Sequence, residues 1–143
     1  MIYGPSYISE DSALSHYGLI PEKVVTTTCT TIGPKKEFDT PVGEFHYEPI
    51  PKHLYPLGGK REDIDDKRSY LIASPEKALF DRLLKVEGVE DADFLRDYLY
   101  QDMRFDEEGA KKIGLVGLDR IRILSRKPFL ETLIEIIRRG RSG

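Results

Sequence analysis

A serine and a lysine stand three residues apart in the stretch "SPEK", residues 74–77. In serine β-lactamases and penicillin-binding proteins, a Ser-x-x-Lys motif places a nucleophilic serine at a helix N-terminus and the lysine one turn later. Those enzymes also use Ser-Asp-Asn and Lys-Thr-Gly motifs, and neither tripeptide occurs in this chain. The spacing alone therefore does not predict an acylating serine.

The same four residues match the start of a helix. Ser74 is a preferred N-cap, Pro75 is favoured at the first helical position, and Glu76 complements the positive end of the helix dipole. Lys77 would then extend into solvent near Asp81, four residues on. We predict a structural role for this segment and no catalytic residue in the chain.

A metal-dependent nuclease is a second chemical hypothesis. Such a site holds a divalent metal between an upstream carboxylate and an acidic-x-Lys motif on the next strand. Asp65 and Lys67 supply that spacing, and Asp39 is the candidate upstream carboxylate. The charged, turn-forming composition of residues 58–68 predicts a loop rather than an apolar strand, which favours solvated side chains.

The histidines and the cysteine give little support for a metal site. None of His16, His46 and His53 shows the i,i+3 or i,i+4 spacing of helical metal ligands, and only His46 with His53 and a carboxylate forms a weak metal hypothesis. Cys29 is the single cysteine, which excludes an internal disulfide, and its β-branched surroundings predict a buried, unreactive thiol. Glycine patterns for nucleotide binding are absent as well. We therefore predict neither a metal nor a cofactor.

Short elements position these residues. Segment 9–21 predicts a helix that the Ser9 hydroxyl caps, that ends at Gly18 in the left-handed region, and that Pro21 prevents from continuing. Its apolar face consists of Ala13, Leu14 and Tyr17.

The middle of the chain predicts strands, and the remainder predicts helices. Residues 23–32 are almost all β-branched, residues 35–48 indicate a hairpin around Pro41, and residues 69–73 are a short apolar strand. Helical patterns follow the "SPEK" segment and continue through three further segments, 91–103, 117–125 and 127–139. We therefore predict a single domain over 1–143 of the α+β class. It should have a mainly antiparallel sheet of three to five strands packed with several helices, and a helical C-terminal half.

Charge is divided unevenly along the chain. Residues 87–108 hold nine acidic and two basic side chains, whereas residues 111–141 hold nine basic and three acidic ones. Solvated helix faces and a surface for a charged partner both explain this division. The candidate contacts to a partner or to nucleic acid are Arg120, Arg122, Arg126, Lys127, Arg138 and Arg139.

No run approaches the roughly 18 apolar residues of a membrane helix, and the N-terminus has no secretory signal. We expect a soluble, cytoplasmic protein that makes no membrane contact.

A series of segments in the same order resembles the C-terminal domain of AbiEi-type antitoxins, found in type IV toxin–antitoxin and abortive-infection systems that defend against phage. The first two are "YIS" at residues 7–9 and "SAL" at residues 12–14, followed by "YGLIPE" at 17–22 and a threonine-rich strand. A Thr/Pro/Gly hairpin and "ASPEKALFD", residues 73–81, complete the pattern. The signature residues are Tyr7, Ser9, Ala13, Leu14, Tyr17, Gly18, Pro21, Ser74, Pro75, Glu76 and Lys77.

This resemblance implies a non-enzymatic antitoxin or transcriptional-regulator-like domain that counters a nucleotidyltransferase-like toxin by protein contact. Family members join a DNA-binding winged helix to this domain, and because Met1 lies only a few residues before "YIS", we expect no winged helix in this chain. The alternatives are a DNA-binding repressor component that uses the basic C-terminal helices and the metal-dependent nuclease described above. The sequence leaves open whether the domain forms a homo-oligomer.

Overall fold

Six strands form one mixed sheet in a computed structural model of the chain. The model describes residues 6–21, 26–41, 43–55, 59–65 and 68–142, with side chains for all of these except 59–65, 68–71 and 142. The strands are β1 (Ser6–Ile8), β2 (Thr26–Thr31), β3 (Lys36–Thr40), β4 (Gly43–Pro49), β5 (Gly59–Asp65) and β6 (Arg68–Ala73). Their order across the sheet is β3-β4-β2-β1-β6-β5.

Some neighbouring strands of the sheet are consecutive in the chain, and others are joined by longer connections. The pairs β1–β2, β3–β4 and β5–β6 are antiparallel, whereas β1–β6 and β2–β4 are parallel. The predicted α+β class is confirmed, and antiparallel pairs are the majority. The described sheet has one strand more than the predicted upper limit of five.

The additional strand is β5, so the prediction of a loop over residues 58–68 is wrong for residues 59–65. Residues from Gly59 to Asp65 pair with β6, with an irregularity in register between Asp63 and Asp65. The charged composition that indicated a loop is also typical of an edge strand, where charged side chains prevent pairing with other chains. β5 lies at the edge of the sheet.

Helices make up most of the described residues outside the sheet. They are α1 (Glu10–His16), α2 (Pro75–Leu83), α3 (Ala92–Asp97), α4 (Leu115–Ser125) and α5 (Phe129–Ser142). Short 3-10 helices lie at Lys52–Leu54 and Glu107–Lys112, and a π-helical turn continues α3 over Tyr98–Asp102. The helical C-terminal half is confirmed.

The end of α1 follows its sequence signals. The Gly18 amide donates to the Ser15 carbonyl at 3.0 Å and the Leu19 amide to the Leu14 carbonyl at 2.9 Å, which is the bond pattern of a Schellman motif. Gly18 has a φ of +73°, in the left-handed region that glycine adopts without strain. The helix therefore ends where the sequence predicts.

α2 lies at the centre of the molecule, packed between α1, β6 and α4. Leu79, Phe80 and Leu83 are fully buried, and the Phe80 ring stacks on Phe129 of α5 at 5.9 Å. One hydrophobic core runs from the sheet through α2 to α5. The residues of the "SPEK" segment therefore begin the most enclosed helix of the fold.

Candidate functional site

Ser74 caps α2 as predicted. Its backbone is extended, and its hydroxyl accepts a hydrogen bond from the Lys77 amide at 3.2 Å, with Pro75 at the first helical position. Glu76 instead reaches α4, where its carboxylate accepts from the Gly114 amide at 2.9 Å. A Cβ atom on Gly117 would lie 3.1 Å from the Glu76 Oε1, so glycine lets the start of α2 approach α4 closely.

Lys77 is fully buried, which corrects the prediction that it extends into solvent. Its side chain is 0% exposed and its ammonium donates to the Asp81 carboxylate, which is 2% exposed. The i,i+4 pairing with Asp81 was predicted, but the sequence placed it on a wet helix face. The apolar residues on either side of the pair, among them Ala78 and Phe80, carry it into the core.

Three further side chains from the sheet side complete this buried pair. The Lys77 ammonium also donates to the Tyr7 hydroxyl at 2.7 Å, and that hydroxyl donates to Asp81 Oδ2 at 2.8 Å. Ser9 donates to the same oxygen at 2.7 Å, and Thr30 lies at 3.4 Å from it. We call these five residues, Tyr7, Ser9, Thr30, Lys77 and Asp81, the buried polar network.

The role of Ser9 therefore differs from the prediction. Ser9 precedes α1 with an extended backbone, but its hydroxyl makes no capping bond to the first helical turn. A buried carboxylate accepts hydrogen bonds more strongly than a neutral group does, and the Ser9 hydroxyl donates to Asp81 instead. The Ser9 carbonyl still accepts from the Ala13 amide at 3.3 Å, which begins the helix.

Burial is the largest influence on the pKa values of Lys77 and Tyr7 in the buried polar network. It lowers the pKa of the Lys77 ammonium, although the Asp81 carboxylate opposes this shift. It raises the pKa of the Tyr7 hydroxyl, and the adjacent Asp81 charge raises it further. Tyr7 consequently remains a neutral donor to Asp81, because losing its proton would place a second negative charge in the core.

Two ion pairs join α1 to α2 beside this network. Lys85 donates to Glu10 at 2.8 Å and Arg82 donates to Asp11 at 3.1 Å. Glu10 has a left-handed φ of +52° and is 7% exposed, and burial raises the pKa of its carboxyl group while Lys85 lowers it. These two ion pairs hold α1 against the C-terminal end of α2, next to the buried polar network.

This arrangement does not suit nucleophilic catalysis. Ser74 uses its hydroxyl as a cap, and Lys77 and Asp81 use their charges on each other, away from solvent. An acylating serine needs a base within hydrogen-bond reach and an opening for a substrate carbonyl. The described contacts of Ser74 offer neither.

The nuclease candidates do not meet either. Asp39 lies in β3 and Asp65 in β5, which are the two opposite edges of the sheet. Five spacings between strands separate them, about 24 Å at about 4.8 Å each. Lys67 lies outside the described residues. One divalent metal cannot bridge carboxylates so far apart.

The remaining chemical candidates are separate from one another. Cys29 is buried at 5% exposure, and burial raises the pKa of its thiol to about 12, so it is present as an unreactive thiol as predicted. His46 lies in β4 and His53 in the exposed 3-10 helix. Across the described residues, no group of three or more His, Cys, Asp or Glu side chains is placed to hold a metal ion.

The basic candidates fall into two groups. Arg122 binds Asp119 at 2.8 Å, and Arg138 and Arg139 both bind Glu135. Arg141, beside them, donates to the carbonyls of Ala110 and Ile113. The second group makes no ion pair with the described residues and consists of Arg120, Arg126 and Lys127.

Arg120, of the second group, lies among exposed apolar side chains on α4, and Arg126 and Lys127 follow the end of that helix. Val116 is 86% exposed, Ile123 58% and Leu124 54%. We call Val116, Arg120, Ile123 and Leu124 the α4 outer face. Sequence reasoning named Arg120 but missed the exposed apolar residues, because it identified no apolar stripe in the helix over 117–125.

The described helices include none that is both long and apolar enough to span a bilayer. No family model matches the chain, and neither a curated protein nor a solved structure was found to be similar to it.

Proposed function

We propose that this chain is a non-enzymatic antitoxin-like domain of a type IV toxin–antitoxin system. It would act in the cytoplasm by contacting and countering a nucleotidyltransferase-like toxin. The proposal rests on the resemblance, and one structural observation supports it. Residues from separate segments of the resemblance, "YIS" and "SPEKALFD", bind one another in the buried polar network.

This convergence gives a physical reason for the signature. Tyr7 and Ser9 lie about seventy residues from Asp81 in the chain, yet the hydroxyls of both donate to the Asp81 carboxylate. A change at one position would leave a polar group in the core without its hydrogen-bond partner, which lowers the stability of the fold. Such residues define a fold, and they do not need to be catalytic for the pattern to persist in a family.

The DNA-binding alternative has a weaker basis. Only Arg120, Arg126 and Lys127 among the six basic candidates are without an ion pair to the described residues. Binding to a duplex depends on many phosphate contacts, each of which steepens the dependence on salt. One cation within a stripe of exposed apolar side chains and two just beyond its end fit a protein surface better.

Co-expression with the nucleotidyltransferase-like product of the adjacent gene tests the proposal. The chain should relieve the growth arrest that this product causes, and the two purified proteins should form a complex on a sizing column. Ser74→Ala should relieve toxicity as wild type does, because Ser74 is a cap and performs no chemistry. If the wild-type chain neither binds the product nor restores growth, the proposal is wrong.

Ser74→Ala also separates binding from catalysis. A folded Ser74→Ala variant that still binds the toxin but no longer restores growth would indicate that the serine reacts. Circular dichroism of the variant establishes that the fold is retained. That result would replace the antitoxin proposal by an enzymatic one.

A further inference from the structure

We propose that the α4 outer face docks an acidic, apolar-faced surface of the protein partner. This inference rests on the proposed function and specifies which surface carries it. A helix of the partner with a leucine-like stripe bordered by Asp or Glu side chains would fit its chemistry.

The spacing of the residues makes them one continuous stripe. Val116, Arg120, Ile123 and Leu124 lie at i, i+4, i+7 and i+8, so they fall within an arc of about 100° on a helix of 3.6 residues per turn. The opposite side of α4 is already buried through Leu118 and Ile121. α4 therefore has apolar residues on two sides, and only one side packs against its own domain.

Apolar residues on the outer side have no role in the core. Val116 at 86% exposure and Ile123 at 58% are among the most water-exposed large apolar side chains described. A contiguous exposed apolar patch bordered by polar residues is typical of a protein interaction site. The pattern on α4 matches helix-in-groove and helix-on-helix recognition, in which i, i+4 and i+7 residues are the anchors.

Charge identifies the kind of partner. Arg120 lies inside the stripe, and Arg126 and Lys127 lie just beyond its C-terminal end, all without an ion pair to the described residues. Arg122, on another side of α4, is instead paired with Asp119 and Glu131. The outer face and the two residues beyond it consequently present cations that none of the described acidic side chains pairs, and an acidic group of a partner would complement them.

The backbone at the end of α4 gives an independent observation. Arg126 adopts a left-handed φ of 58° at the helix C-cap, a conformation in which glycine is usually found and arginine is strained. The sequence retains a long cation there in spite of that strain. Strained positions of this kind concentrate at functional sites.

Other occupants fit this surface less well. A symmetric contact between two copies of α4 would bring two Arg120 side chains together, and like charges in a contact are unfavourable. A contact with the acidic residues 87–97 of another copy would join two different faces and would build a ring or an open filament rather than the commoner two-fold dimer. A nucleic acid would pair the cations, but it would leave Val116 and Ile123 without an apolar counterpart.

The test uses the full chain and the purified product of the adjacent gene, with affinities measured by calorimetry. Arg120→Glu and Ile123→Asp should each weaken binding at least tenfold. Arg96→Glu is the charge-reversal control, because Arg96 is also an exposed helical arginine but lies on α3, where it pairs with Asp93. Its affinity should equal that of wild type. Raising salt should weaken the wild-type complex more than the Arg120→Glu complex.

Each outcome decides the inference. If wild type binds the product and relieves its toxicity while both α4 variants bind equally well, the proposed function stands and this surface is wrong. If wild type neither binds nor relieves toxicity, the proposed function falls and the inference falls with it. A wild-type dimer that Ile123→Asp dissociates in sedimentation would overturn it in favour of a second copy. Salt-sensitive duplex DNA binding that Arg120→Glu abolishes, without effect on the protein complex, would overturn it in favour of nucleic acid.

Discussion

Replacing Lys77 by methionine should strongly destabilise the fold, because the change removes the cation from the buried polar network. Methionine fills most of the space of the lysine stem, so the lost volume is small. Asp81 would remain 2% exposed and without its cation, with only the hydroxyls of Tyr7, Ser9 and, at 3.4 Å, Thr30 as donors in the buried polar network. The cost of Lys77→Met therefore measures how much an unpaired carboxylate weakens this core.

The expected magnitude follows from the burial of both partners. Removing one member of a buried ion pair costs about 3–5 kcal/mol, since the remaining charge keeps its desolvation penalty and loses its counter-ion. Domains of ordinary stability unfold with about 5–15 kcal/mol. Lys77→Met should thus remove a large part of the free energy of unfolding. The urea midpoint should fall clearly, with little change in the slope of the transition.

Lys111→Met is the matched control for this measurement. Lys111 also pairs with an acidic residue, Glu108, but its side chain is 59% exposed. Surface pairs contribute little, so this variant should stay within about 0.5 kcal/mol of wild type. Urea unfolding followed by circular dichroism gives both values. If Lys77→Met costs no more than Lys111→Met, the pair is not desolvated and the reasoning about the core is wrong.

A double variant identifies the origin of the cost. Asp81→Asn leaves a neutral acceptor for Tyr7 and Ser9 while it removes the charge. If the unpaired carboxylate causes the loss, the effects of Lys77→Met and Asp81→Asn should be non-additive by more than about 1 kcal/mol. Additive effects would show that lost packing, rather than charge, determines the stability change.

Three further predictions concern local features of the same structure. Ser74→Ala should cost about 0.5–2 kcal/mol in urea unfolding, as a lost helix cap does; an unchanged stability would contradict the cap. Arg126→Gly should stabilise the chain by about 1 kcal/mol by relieving the left-handed backbone, whereas Arg126→Ala, which removes the same charge but keeps the strain, should not. Burial raises the pKa of Glu10 above 4.5, so its contribution to stability is fully present below pH 4.5 and is lost as pH rises through the folded-state pKa. The unfolding free energy of wild type minus that of Glu10→Gln should therefore decrease from pH 4.5 towards neutral pH, and a constant difference would refute the assignment.

The ends of elements were predictable because their signals are local. Gly18 is required by the left-handed conformation after α1, and Ser74 with Pro75 begins α2, each through contacts within a few residues. The β3–β4 hairpin is likewise predictable from the turn at Pro41. In such cases the backbone geometry that a residue type favours is the geometry the structure uses.

The burial of charged residues was not predictable in the same way. Lys77 and Asp81 at i,i+4 are compatible with both a wet helix face and a desolvated pair, and local pattern does not separate them. The deciding partners, Tyr7 and Ser9, are about seventy residues distant in the chain. One signal was available: α2 has apolar residues on several sides, which indicates a helix enclosed by the fold.

The residues of the signature differ from those proposed to contact a partner. Tyr7, Ser9 and Lys77 belong to the resemblance and all lie in the buried polar network, where their hydrogen bonds are made within the domain. Side chains that satisfy one another in this way have little capacity left for a ligand. In the proposed function, recognition depends on other groups, and the α4 outer face with Arg126 and Lys127 has both exposed apolar area and charges that make no ion pair with the described residues. Those residues are not part of the signature, so the proposed specificity for one partner is carried by residues other than those that define the resemblance.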